Sequence, residues 1–148
     1  MNMTKLTFNR KPMPIFAEYR PLYKVSQLLM VLMISSRGGK SSIVRLHLFN
    51  WALKNDKRQE ALLSASKTGT LDIDVWGLDP SLNAAIQFAV AEMLVTRNSS
   101  GITLESKGKD FLSDVLKNEL MLEDKNYLEK VGKKITESMI LKVSESWG

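Results

Sequence analysis

Seven consecutive apolar residues, Leu28 to Ile34, lie inside a stretch from Leu22 to Ser35 that contains neither glycine nor proline. A helix over that stretch has almost no polar face in its second half. A helix that is apolar all round must be covered all round, and this run is far short of the roughly 20 residues needed to span a bilayer. The chain is therefore expected to build around this helix, with other elements or a partner covering it. At 148 residues the chain fits one domain, long enough to bury roughly two-thirds of its unfolded surface. Gly38 and Gly39 end the segment.

The rest of the pattern supplies the cover. A second helix, from Ser41 or Ser42 to about Asn55, sets Val44, Leu48 and Trp51 on one stripe and Ile43, Leu46, Phe49 and Leu53 on the next. Arg45, His47, Asn50 and Lys54 fall on its remaining, polar side. A short third helix is expected from Asp56 to Ser66. Leu71, Ile73 and Val75 alternate with Asp72 and Asp74 as a half-buried strand would. Asp79 and Pro80 open a fourth helix to about Met93, with Leu82, Ala85, Ile86, Ala89, Val90 and Met93 on one face. Leu94–Thr96 and Ile102–Leu104 then flank a polar tip, Arg97 to Gly101, which predicts a hairpin. A helix from about Ser106 carries Phe111, Leu112, Val115 and Leu116 inward. A last helix, about Tyr127 to Val143, uses Leu128, Val131, Ile135 and Met139. There is no internal repeat.

Residues 1–21 read differently. Pro12, Pro14 and Pro21 disfavour helix, and Leu6, Phe8, Ile15 and Phe16 alternate with basic residues. An extended arm is expected, packing on its own domain or on another subunit. The division is thus an arm over 1–21, a core over 22–118 and a C-terminal helical extension over 119–148.

Charge is unevenly distributed. Residues 1–58 hold eleven Lys/Arg against Glu18 and Asp56, a net +9, and residues 59–148 hold ten against fourteen Asp/Glu, a net −4. The basic half suits nucleic acid, an acidic protein surface, or plain solvation. The absence of cysteine excludes a disulfide scaffold, a Cys-ligated zinc and a Cys nucleophile. It also agrees with a reducing compartment, and with no secretory h-region at the N-terminus the expected location is cytoplasmic.

No residue set carries chemistry. Arg37-Gly38-Gly39-Lys40-Ser41-Ser42 lacks the first glycine of a phosphate loop, since Ile34 stands five positions before Gly39. His47 is the single histidine, with no acidic residue within a turn, so a structural role is expected over metal binding or proton transfer. Asp72 and Asp74 have no supporting cluster, and no nucleophile elbow occurs. No catalytic residue, cofactor or metal is expected.

A helix running into a short hairpin, then a helix entered through Leu104-Glu105-Ser106-Lys107-Gly108, resembles the back half of bacterial winged-helix proteins. The resemblance covers residues 22–118. The expected fold class is mainly α (α+β), a winged helix-turn-helix with a small β-wing, an N-terminal arm and a C-terminal helix. The helix that would read bases, Pro80 to Met93, contains no Lys or Arg, and duplex affinity depends on neutralised phosphates. A sequence-specific regulator, dimeric through Leu128 to Met139, is therefore the alternative and not the first reading.

Arg20-Pro21-Leu22-Tyr23-Lys24, the apolar helix, Gly38-Gly39-Lys40-Ser41, the Trp51 helix and Ser106-Lys107-Gly108-Lys109-Asp110-Phe111-Leu112 together are similar to the small middle component of bacterial ABC three-component systems, which include Lamassu-type antiphage defence. That resemblance implies a non-catalytic accessory subunit. It would sit with an SMC- or ABC-type ATPase, which binds the nucleotide, and an effector subunit, often a nuclease, in a complex that senses foreign DNA. The residues expected to touch protein partners are Phe8, Ile15 and Phe16 in the arm and Phe49, Trp51 and Leu53 on the second helix. Arg37, Lys40, Arg45 and Arg97 are expected to touch phosphates of double-stranded DNA without reading sequence.

Overall fold

The computed structural model describes residues 21–73, 76–117 and 119–147. Helix α1, Pro21–Ile34, is the axis of the molecule, and every residue from Lys24 to Leu32 is buried. Its apolar density has the expected consequence: α4 (Pro80–Ala91) covers it most extensively, with α2 (Ile43–Ala52), α5 (Ser106–Leu116) and α6 (Leu122–Val131) completing the shell. Leu29 and Leu32 are fully enclosed. Burying each such side chain contributes about 1.5–3 kcal/mol.

Helix boundaries follow their caps. Ser42 accepts the N–H of Arg45 and starts α2. The helix expected to reach Asn55 stops at Ala52, because Asn55 instead caps α3, Asp56–Thr68, by accepting the N–H of Arg58. Asp79 caps α4, with Pro80 in the first turn, as the sequence indicates. That helix closes two residues early, at Ala91, in a Schellman turn. Leu94 N–H donates to Ala89 O and Met93 N–H to Val90 O, and Met93 takes the left-handed conformation at φ 62°.

The hairpin is formed by β2, Val95–Asn98, and β3, Gly101–Leu104, in antiparallel register with Val95 opposite Leu104 and Arg97 opposite Ile102. The Asn98 carboxamide oxygen gathers the N–H groups of Ser100 and Gly101 at the tip. A third strand has no counterpart in the sequence reading. β1, Lys40–Ser41, pairs with β3 and gives the sheet order β1-β3-β2. Gly101 makes this pairing possible: at φ +145° its backbone passes so close to β1 that a Cβ would lie 2.2 Å from Ser41 O. The fold is mainly helical with one small antiparallel sheet, an α+β arrangement.

Two expectations are corrected. Leu71 to Ile73 are not a strand, although both apolar residues are buried in the core; Asp74 and Val75 lie outside the described residues. The single helix from Tyr127 to Val143 is two, α6 and α7 (Glu137–Ser144). The break comes at Gly132, φ +62°, and Thr136 caps the second helix through Met139 N–H. Tyr127, Leu128, Val131, Ile135 and Ile140 join the same core as α1. The Leu128 face is therefore turned inward, onto the core of its own chain. Trp76 caps the opposite side, donating its indole N–H to Val44 O and meeting Trp147 edge-to-face at 4.9 Å.

Candidate interaction surfaces

Of the polar side expected for the second helix, Arg45, His47 and Asn50 are buried and Lys54 is exposed. Arg45 is 3% exposed. Its Nε donates to Ile135 O at 2.7 Å, Nη1 to the hydroxyls of Ser36 and Ser41, and Nη2 to Ser35 O. The guanidinium also lies 4.8 Å from the centroid of the Phe49 ring. Burial lowers its pKa to about 10 by stripping water from the cation, and the charge of Glu137 works in the opposite direction. Arg45 therefore ties α1, β1, α2 and the α6–α7 loop together, and it cannot reach a phosphate. This corrects its expected DNA contact.

His47 and Asn50 are buried for the same reason: the segment entering α4 lies over them. His47 Nδ1 accepts the N–H of Asp79, so Nε2 carries the proton donated to Asn83 Oδ1, 3.1 Å away. Both ring nitrogens are thus used structurally. Asn50 accepts from Lys24 Nζ at 2.8 Å and donates to Asp79. Burial alone would raise the Asp79 carboxyl. Hydrogen bonds from Lys54, Asn50 and Ser81 outweigh it and hold the group well below the usual carboxylate range.

The expected protein-contact residues divide. Phe49 is fully enclosed and serves the core, which corrects its assignment to a surface. Trp51 and Leu53 are half-buried, and the guanidinium of Arg58 stacks over Trp51 at 4.9 Å. Phe8, Ile15 and Phe16, with the arm that carries them, lie outside the described residues.

A different apolar surface is open instead. Ser81, Asn83, Ala84, Gln87, Phe88, Ala91 and Glu92 are exposed on α4. Ala84, Phe88 and Ala91 stand at i, i+4 and i+7, one stripe of the helix. Phe88 is 39% exposed, and Leu78 and Met93 flank the two ends of α4 at 67% and 66%. The sequence reading missed Phe88 because its spacing adjoins the core stripe of Ala85 and Ala89.

The remaining basic candidates are exposed, with Arg97 apart from the other two. Arg37 and Lys40 line a recess with Ser42, Ser100 and Glu137. Cross-strand partners share a face of the sheet. The register therefore sets Lys40 with Thr103 and Thr96, and Arg97 with Ile102 on the other face. Among the described residues no cluster of His, Asp and Glu could hold a metal, and no helix is long and apolar enough to cross a membrane. In comparisons with protein families, curated proteins and solved structures, nothing matches this chain.

Proposed function

We propose that the chain is a non-catalytic, cytoplasmic winged-helix subunit of a bacterial antiviral defence complex. It docks on a larger SMC- or ABC-type ATPase and on an effector nuclease subunit. The observation that carries this reading is the outer face of α4. A base-reading helix presents Arg, Lys, Asn or Gln and is flanked by cations that neutralise phosphates. Here the exposed face carries Asn83 and Gln87 but no cation, ends in Glu92, and offers Phe88 between two alanines. Large aromatics in apolar surroundings are the usual anchors of protein interfaces.

The order of elements supports the winged-helix part of the reading. A helix, a short strand, further helices and a hairpin follow one another, and the first strand adds to the second strand of the hairpin. This is the arrangement expected of a winged helix with one extra helix, α3, inserted before α4.

The test is affinity purification of the tagged chain from its native host after nuclease treatment, read by mass spectrometry. A large ATPase and a second subunit recovered in fixed ratio, and lost with Phe88→Glu, is the expected result. Recovery of the chain alone or as a self-dimer overturns the reading and directs attention to operator selection.

A further inference from the structure

We infer that the end of the molecule formed by the Arg37–Lys40 turn and the Lys133–Lys134 loop is a binding surface for the phosphodiester backbone of duplex DNA. The inference rests on the proposed place in a defence complex and assigns a DNA contact to this chain.

Residues almost a hundred positions apart are brought together here. Arg45 Nε holds Ile135 O at 2.7 Å, and Glu137 Oε2 accepts the N–H of Ser42 at 2.9 Å. The loop carrying Lys133 and Lys134 is therefore fixed beside the turn carrying Arg37 and Lys40. All four side chains are exposed, and none forms an ion pair among the described residues, unlike Lys54, Lys117 and Lys125.

The local charge does not cancel. Glu137 is the carboxylate lining the recess, and it bonds inward to Ser42 N–H while its field offsets the buried Arg45 cation. Setting that pair aside leaves four cations. Their backbones are held: Lys40 pairs with Thr103 in the sheet, and the lysine loop is anchored by Ile135 O and the Thr136 cap. Four exposed cations on held backbone present a positive surface to a polyanion, and each phosphate they neutralise releases counterions.

Duplex is favoured over single strand. Single-strand binders stack bases on exposed aromatics, and the recess is lined by none. With no cation on α4 to reach base edges, binding is sequence-blind and governed by counterion release.

The experiment is fluorescence anisotropy of the isolated full chain with a short labelled duplex of arbitrary sequence, titrated across salt. Four phosphate contacts give a slope of log K against log salt of about −3.6, and about a hundredfold loss of affinity between 50 and 200 mM salt. R37A/K40A and K133A/K134A should each reduce the slope by about 2, with unchanged circular dichroism and melting. K133Q/K134Q should match the alanine pair. Equal slopes in the wild type and both double variants overturn the inference. So does equal affinity for polyglutamate, which would mark an acidic protein as the partner, or tighter binding of single-stranded DNA. The isolated chain is used, so the result is independent of whether the ATPase is recovered.

Discussion

Arg45→Ala should destabilise the fold severely. In the native chain the guanidinium satisfies two buried carbonyl oxygens, Ser35 O and Ile135 O, and two serine hydroxyls. The hydroxyls lose little, because Ser36 still donates to Val31 O and Ser41 to Ser42 O. The two carbonyls are stranded, at about 1–3 kcal/mol each. Lost packing of the side chain on Phe49 adds about 1 kcal/mol. Against this, the alanine variant no longer has to desolvate a cation, a cost visible in the lowered pKa of about 10. The net expectation is a loss of about 3–4 kcal/mol, in the range for breaking a buried hydrogen-bond network. In urea unfolding followed by circular dichroism, with a slope of about 2 kcal/mol per molar, the midpoint should fall by about 1.5–2 M. Arg45→Lys keeps the charge but not the planar fork, and should still cost about 2 kcal/mol. A loss below about 0.5 kcal/mol, the value typical of surface positions, combined with weakened DNA binding, would refute the structural role and restore Arg45 as a phosphate contact.

Three further outcomes follow from the geometry. Asp79 has a depressed pKa in the fold, so its contribution is complete above its unfolded value near 4 and is lost as pH falls further; Asp79→Asn should flatten that acid limb in melts at pH 2 to 5, and Asp79→Ala should cost about 1–2 kcal/mol at pH 7 through the lost cap. Met93 holds a left-handed backbone at φ 62° while 66% exposed, so Met93→Gly should stabilise by up to about 1 kcal/mol and raise Tm by about 2–4 °C in calorimetry. Gly101→Ala forces a Cβ to within 2.2 Å of Ser41 O, so it should cost at least about 2 kcal/mol and speed amide exchange across the β1–β3 pairing.

The parts legible in the sequence are those whose signal is local. The apolar density of Leu28 to Ile34 marks the central helix, Asp79-Pro80 marks the start of α4, and the polar tip between Val95 and Leu104 marks the hairpin, as the structure has them. The two-residue β1 was not legible, because its partner Ile102–Thr103 lies some sixty residues away and two residues carry no periodicity. The break in the last helix was signalled by Gly132, but the apolar spacing on both sides is helical and concealed it.

The misplacement of Arg45 has a physical cause. Helical periodicity gives α2 a polar stripe, and the natural inference is that such a stripe faces water. Here the chain returns twice over it, once before α4 and once between α6 and α7, and each return brings backbone groups that need partners. Asp79 N–H finds His47, and Ile135 O finds Arg45. A polar stripe can therefore be buried with its groups hydrogen-bonded when the covering segment is irregular, since irregular backbone supplies the complementary donors and acceptors that a helix keeps for itself. The same reasoning separates the cations. Arg45 has a planar fork and four acceptors around it, and it is consumed by the fold. Arg37, Lys40, Lys133 and Lys134 sit on the outer side of those same turns, with their backbones fixed and their charges facing water. The burial of Arg45 is thus what positions the lysine loop beside the glycine turn, and a structural cation assembles the surface cations available to a partner.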